Sequence, residues 1–138
     1  MNKEEIKLIL PHREPMLLVD EVTEQDGTAI GHYHVRGDEF FLQGHFPGNP
    51  IVPGVILCEI LAQSACVLLQ DQMTDGKLPV YTGLNNVKFR SSVKPGDTIE
   101  TRCRIKRAKH PFYFAEGSLS VDGRLCVCAE FSFAITGA

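Results

Sequence analysis

No CxxC pair, no Gly/Ser-rich linker, no low-complexity tract and no internal repeat occurs in the 138 residues. Without CxxC spacing, the five cysteines (Cys58, Cys66, Cys103, Cys126 and Cys128) suggest no zinc site, and their odd number favours buried, reduced thiols over a complete disulfide framework. Cys126 and Cys128 share one face of a strand, but two sulfurs without companions make no metal site. Without a linker or repeat, a chain of this length reads as one domain over residues 1–138, large enough for a core of its own.

Targeting signals are scarce as well. The start MNKEEIKLIL carries Glu4 and Glu5, and its short apolar patch runs at once into PHREP, the wrong pattern for a secretory leader. The longest apolar stretch, residues 51–69, is interrupted by Pro53, Glu59 and Gln63, so a membrane helix is a poor second reading. A cytosolic protein is expected. With 43% hydrophobic and 22% charged residues, the chain is too apolar for disorder and ordinary for a globular protein.

Charge is unevenly placed. The net value is −3, yet residues 87–109 hold Lys88, Arg90, Lys94, Arg102, Arg104, Lys106, Arg107 and Lys109 against Asp97 and Glu100, a local +6 on a remainder of −9. Such a patch suits an acidic partner of limited size better than bulk nucleic acid. A solvated strand face is an equal alternative.

Residues 3–9 read as a short helix ending before Pro11. Residues 17–22 and 28–35 read as strands around Asp26-Gly27, a hairpin dipeptide. Residues 54–72 have helical length and are apolar on nearly every face, so that helix must be buried on most sides. Strands are expected at 80–89, 98–108, 112–121 and 124–135, with turns at Pro95-Gly96 and Asp122-Gly123. In TRCRIK the basic residues alternate with Cys103 and Ile105, the pattern of a half-exposed strand. Two strands, a long apolar helix and four more strands imply an α+β domain, a curved antiparallel sheet wrapped around one central helix, conventionally called a hot-dog fold.

Residues 44–69, GHFPGNPIVPGVILCEILAQSACVLL, place a lone carboxylate, Glu59, in an apolar run. A buried carboxylate without a partner is costly, so Glu59 either reaches water, pairs with a basic residue or has a use. Apolar surroundings favour the protonated carboxyl, which makes Glu59 a candidate acid. His45 stands at the head of a turn-rich loop and is a candidate base, though it could simply cap that loop. The unpaired N–H groups of Gly54 and Val55 in the first helical turn are candidate oxyanion donors, and Gly54 leaves its N–H open to approach. Gln63, one helical turn beyond Glu59, can hold the carboxyl group in one orientation. Base, acid and oxyanion donors together suit elimination of water from a 3-hydroxyacyl thioester, with no metal or organic cofactor. His32 and His34 share a strand face without an identifiable third ligand; His12 and His110 lie beside prolines, and a structural role in turns is the leading reading for both.

Three stretches carry a resemblance: LPHREPMLLVD at 10–20, GHFPGNPIVPGVILCEILAQ at 44–63 and VKFRSSVKPGD at 87–97. Over essentially its whole length the chain resembles the 3-hydroxyacyl-[acyl carrier protein] dehydratases of the FabZ type. The resemblance implies a hot-dog fold, homodimers commonly assembled as a trimer of dimers, and water elimination in fatty acid elongation. By motif position it makes His45 and Glu59 the catalytic pair, contributed to each site by different subunits, and Gly54 the backbone donor to the thioester carbonyl. It also implies acyl carrier protein as an acidic partner, to which Lys88, Arg90, Lys94, Arg102 and Arg104 are the candidate contacts. Val52 and Ile60-Leu61 depart from the commonest pattern and bear on the acyl tunnel. Tyr81 is nearest the position of a tunnel-gating tyrosine in some relatives. A sister group that also isomerises the double bond carries aspartate in place of the glutamate, so Glu59 favours simple dehydration. A hot-dog thioesterase or hydratase acting on coenzyme A esters, and a non-catalytic acyl-binding module, stay open as other classes.

Overall fold

The computed structural model describes residues 1–74 and 76–137. The chain runs through helix α1 (Lys3–Lys7), strands β1 (Glu21–Gln25) and β2 (Thr28–His34), helix α2 (Gly54–Cys66), and strands β3 (Leu78–Phe89), β4 (Thr98–Lys109), β5 (Phe112–Val121) and β6 (Arg124–Thr136). Short 3-10 turns at Phe40–Leu42 and Val67–Leu69 precede and extend α2. The strands form one antiparallel sheet in the order β1-β2-β4-β5-β6-β3, and α2 packs on β2, β4, β5 and β6. This is the α+β hot-dog arrangement. No helix among the described residues is long and apolar enough to cross a membrane.

Local chemistry accounts for many of the joints. Asp26-Gly27 (φ +52° and +81°) and Asp122-Gly123 (φ +50° and +78°) close two-residue hairpins whose both central residues need positive φ, a conformation Asp and Gly tolerate best. In β4, Thr101 and Cys103 are buried against the helix side while Arg102 and Arg104 are exposed, as the alternation requires. Helix α1 is started by a reciprocal cap: the Asn2 side chain accepts from Glu5 N, and the Glu5 carboxylate accepts from Asn2 N. The helix ends at Lys7, two residues short of the expectation. There the Arg13 guanidinium donates to the carbonyl oxygens of Lys7, Leu10 and His12, pinning the segment that follows.

Two further elements differ from expectation. The first strand begins at Glu21 rather than at residue 17, because Leu17, Leu18 and Val19 are buried as irregular chain over α2; the Leu18 N–H bonds to the Gln63 side chain instead of a neighbouring strand. The central helix keeps α geometry for 13 residues, tightens into the 3-10 turn, and stops where exposed Gln70, Asp71 and Gln72 leave the core. Within α2, Leu57, Cys58 and every residue from Ile60 to Cys66 are buried. The cysteines are free thiols, four buried and Cys128 half-buried; burial pushes the Cys103 thiol up to about 12, so it stays protonated and inert.

The sheet approaches the helix most closely through Gly31. Thr101 Oγ1 donates to Ser64 Oγ (2.8 Å), which donates to Ile60 O (3.0 Å), and a Cβ on Gly31 would stand 2.6 Å from Thr101 Oγ1 and 2.8 Å from Ser64 Oγ. Gly31→Ala is therefore expected to destabilise the fold by about 1–3 kcal/mol, the cost of overpacking a filled interior. A lowered midpoint of thermal or urea unfolding checks this; an unchanged midpoint would show that β2 can withdraw from α2 freely.

Candidate active site

The loop between the Phe40–Leu42 turn and α2 is held by its own backbone. Phe46 N and Asn49 N exchange hydrogen bonds with the opposite carbonyls (3.1 and 2.9 Å), and Ile51 N donates to His45 O (2.8 Å). The same strap fixes the imidazole: His45 Nδ1 lies 2.9 Å from Ile51 O. A carbonyl oxygen only accepts, so Nδ1 carries the hydrogen and Nε2 of the neutral ring presents a bare lone pair. His45 lines a cavity of about 600 Å³ together with Gly54, Val55, Leu57, Phe89 and Arg90.

Helix α2 enters that cavity by its N-terminus. Pro53 occupies the cap position, and its carbonyl accepts from Ile56 N and Leu57 N, leaving the N–H groups of Gly54 and Val55 without helical partners. The glycine also leaves room for the Phe89 ring: a Cβ at position 54 would lie 2.7 Å from Cε1 of this exposed side chain, which would have to swing aside.

Glu59 sits elsewhere. It lines a separate cavity of about 30 Å³ with His12, Gln63, Cys66, Tyr81 and Phe133, and that cavity shares no residue with the one around His45. Gln63, 1% exposed, commits its amide to the protein. Its Nε2 donates to Glu59 Oε2 (2.9 Å) and to Met16 O (2.8 Å), and its Oε1 accepts from Leu18 N (2.9 Å). The Tyr81 hydroxyl donates to Cys58 O (2.5 Å), which ties β3 to α2 beside the carboxylate. His12 Nε2 stands 3.3 Å from Glu59 Oε2.

A FabA-like domain family matches residues 10–130. The 3-hydroxyacyl-[acyl-carrier-protein] dehydratase FabZ of Clostridium beijerinckii is 42% identical over 140 residues, spanning 98% of this chain and 99% of that protein. The chain belongs to the FabZ family. The FabZ enzyme of Bacillus velezensis is 41% identical over 138 residues, spanning 98% of both chains. Among solved structures, a chain of the dehydratase heterocomplex ApeI:P from Xenorhabdus doucetiae superposes with a TM-score of 0.83 over 96% of this chain and 91% of that one. A thioesterase-like protein from Ralstonia eutropha superposes with a TM-score of 0.66 over 96% and 99%. At 21% and 22% identity these two likenesses speak to the fold alone.

In this FabZ-family chain the remaining candidates separate. The +6 segment divides in two. Arg102 is paired with Glu100 and Arg104 with Glu116, while Lys106 reaches both Glu116 and Glu130, all on the sheet face turned away from α2. Lys88, Arg90, Lys94, Arg107 and Lys109 are exposed with no ion pair among the described residues; Arg107 lies over the Phe114 ring, and Arg90 borders the His45 cavity. Of the departures from the family pattern, Val52 lines the His45 cavity, whereas Ile60 and Leu61 are fully buried in the core. His32 bridges Glu21 (3.2 Å) and Glu100 (3.3 Å), and His34 Nδ1 meets Thr98 Oγ1 (2.9 Å); no group of three potential ligands among the described residues is arranged to hold a metal. His110 is exposed at the β4–β5 turn. The neighbour of Glu59 that sequence reasoning did not anticipate is His12, set aside as a turn histidine beside Pro11. The available signal was indirect: a half-buried Glu59 and a buried Gln63 need donors and acceptors from outside α2.

Proposed function

We infer that this protein removes water from (3R)-3-hydroxyacyl chains carried on acyl carrier protein, in the cytosol, giving the trans-2-enoyl thioester. The observation that carries this reading is the His45 tautomer, an imidazole whose Nε2 lone pair is free for a proton while Nδ1–H is tied to Ile51 O. Nε2 takes the C2 proton. Negative charge gathering on the thioester oxygen is met by the N–H groups of Gly54 and Val55 at the positive end of α2. As the C3–O bond breaks, Glu59 supplies the proton with which the hydroxyl leaves as water. The cycle closes when the proton held by His45 is returned, directly or through solvent, to Glu59. The elimination is redox-neutral and needs no cofactor.

Since His45 and Glu59 of one chain line different cavities, we take the working site to combine His45 of one subunit with Glu59 of its partner. The two sheet edges support an assembly through β3. The β1 edge carries Glu21 and Glu24, which oppose pairing, whereas β3 has no charge from Leu78 to Val87 and exposes Leu78, Val80 and Leu84. The family resemblance implies a homodimer, commonly assembled as a trimer of dimers, and we place the dimer joint at β3.

Growth of enoyl absorbance with carrier-linked substrate tests the activity, and the same assay with coenzyme A esters separates it from a thioesterase or a hydratase. Lys88, Arg90 and Lys94 are the cations we assign to the acidic carrier; Arg102 and Arg104, already paired, contribute less. Reversing the first three to glutamate is expected to raise KM for carrier-linked substrate about tenfold or more and to flatten its salt dependence. A pantetheine-linked substrate should lose far less. Equal losses on both substrates would mean a damaged pocket and remove the docking role.

A further inference from the structure

We propose that His12 is a positioning residue that determines which oxygen of Glu59 carries the acidic proton. The proposal rests on the reading of Glu59 as the acid. Glu59 Oε2 receives the Gln63 amide at 2.9 Å and faces His12 Nε2 at 3.3 Å. His12 Nδ1 is the buried side-chain nitrogen without a partner among the described residues. A hydrogen on Nδ1 would be a buried donor with no acceptor, so the ring carries its hydrogen on Nε2, toward the carboxyl group.

With the Gln63 amide donating to Oε2 and His12 Nε2 3.3 Å from it, a proton on that same oxygen would lie against hydrogens and find no acceptor. The neutral carboxyl therefore bears its proton on Oε1. Oε1 has no hydrogen-bond partner among the described residues, yet it is not one of the buried unpartnered atoms, so it keeps accessible surface in a residue that lines the cavity. His12 and Gln63 thus leave the reactive proton on the one oxygen that a departing hydroxyl can approach.

The scaffold that holds His12 is built for a fixed position. Arg13 clamps the carbonyls of Lys7, Leu10 and His12, and Gln63 binds the same segment again at Met16 O and Leu18 N. His12 lies in the same chain as Glu59, so the acid is oriented inside one subunit even where the base comes from another.

His12→Phe keeps a ring but removes the donor; His12→Gln restores an N–H at similar reach. Expected for His12→Phe is a kcat about 10- to 100-fold lower, from a misaimed proton, with KM changed by no more than about threefold. His12→Gln should recover most of that loss, and both variants should melt within a few degrees of the parent. Because the two groups act as a unit, His12→Phe placed in a Glu59→Gln background should lower the residual rate no further. Unaltered kcat in His12→Phe, or a Gln variant as slow as Phe at equal melting temperature, would overturn the proposal. So would an equal fractional loss in both backgrounds, a ratio that remains readable if the Phe variant is less stable. Failure of the underlying reading looks different: Glu59→Gln itself would then turn over normally.

Discussion

Glu59→Gln is expected to fold as the parent does and to turn over about two to four orders of magnitude more slowly, the range lost with a general acid. The amide is nearly isosteric with the carboxyl group, and its oxygen can occupy the Oε2 position, where Gln63 Nε2 still donates to it at 2.9 Å. Its NH2 group then faces the cavity in place of the acidic hydroxyl. The shape survives and the transferable proton does not. Single-turnover measurement of enoyl product, beside a melting curve of the same preparation, separates the two contributions. Near-normal turnover would end the assignment of Glu59 as acid. His45→Ala should cost a comparable factor, since it removes the Nε2 lone pair that the Ile51 carbonyl orients. The double variant should be little worse than either single one, because an acid and a base that act in one elimination are not additive.

Mixed dimers give the second large effect. His45→Ala and Glu59→Ala proteins, each nearly inactive, are expected to regain roughly one quarter of parental activity when unfolded together and refolded at random. The reason lies in the separate placement of the two residues in one chain, His45 with Gly54 and Phe89, Glu59 with His12, Gln63 and Tyr81. If a two-fold interface brings the first cavity of one subunit to the second cavity of the other, a mixed dimer holds one site lacking both groups and one site intact. About half of randomly paired dimers are mixed, and each then works at half capacity. Were the site internal to one chain, every site would lack one group and recovery would stay near zero. Native mass spectrometry must confirm that mixed dimers form. Zero recovery with confirmed mixing would refute sharing.

How much of this was legible beforehand divides along the distance in the chain over which each feature is decided. Asp26-Gly27 and Asp122-Gly123 announce their hairpins because the demand for positive φ is met within two residues. The alternation through Arg102, Cys103 and Arg104, and the all-round apolar character of α2, are likewise written in windows shorter than the elements they describe. The long motif at 44–63 named the candidate pair and the helix N-terminus, since it keeps those residue types in one contiguous run.

Other features depend on partners that no short window contains. Leu17 to Val19 look like strand, yet they run as irregular chain because Gln63, 45 positions away from Leu18, takes the backbone group that a strand would have paired. His12 reads as a turn residue until the fold lays residues 12–18 along α2 and sets Nε2 beside Glu59. The basic segment reads as one patch, but strand pairing gives Arg104 and Lys106 their carboxylates from β5 and β6 and leaves Lys88, Arg90 and Lys94 unpaired. The amino-acid sequence settled what is governed by backbone conformation and hydrophobic period. Apart from pairs one helical turn apart, such as Gln63 with Glu59, tertiary structure alone decided which polar groups satisfy one another, because burial obliges each of them to find a partner and only the folded chain brings distant partners within reach.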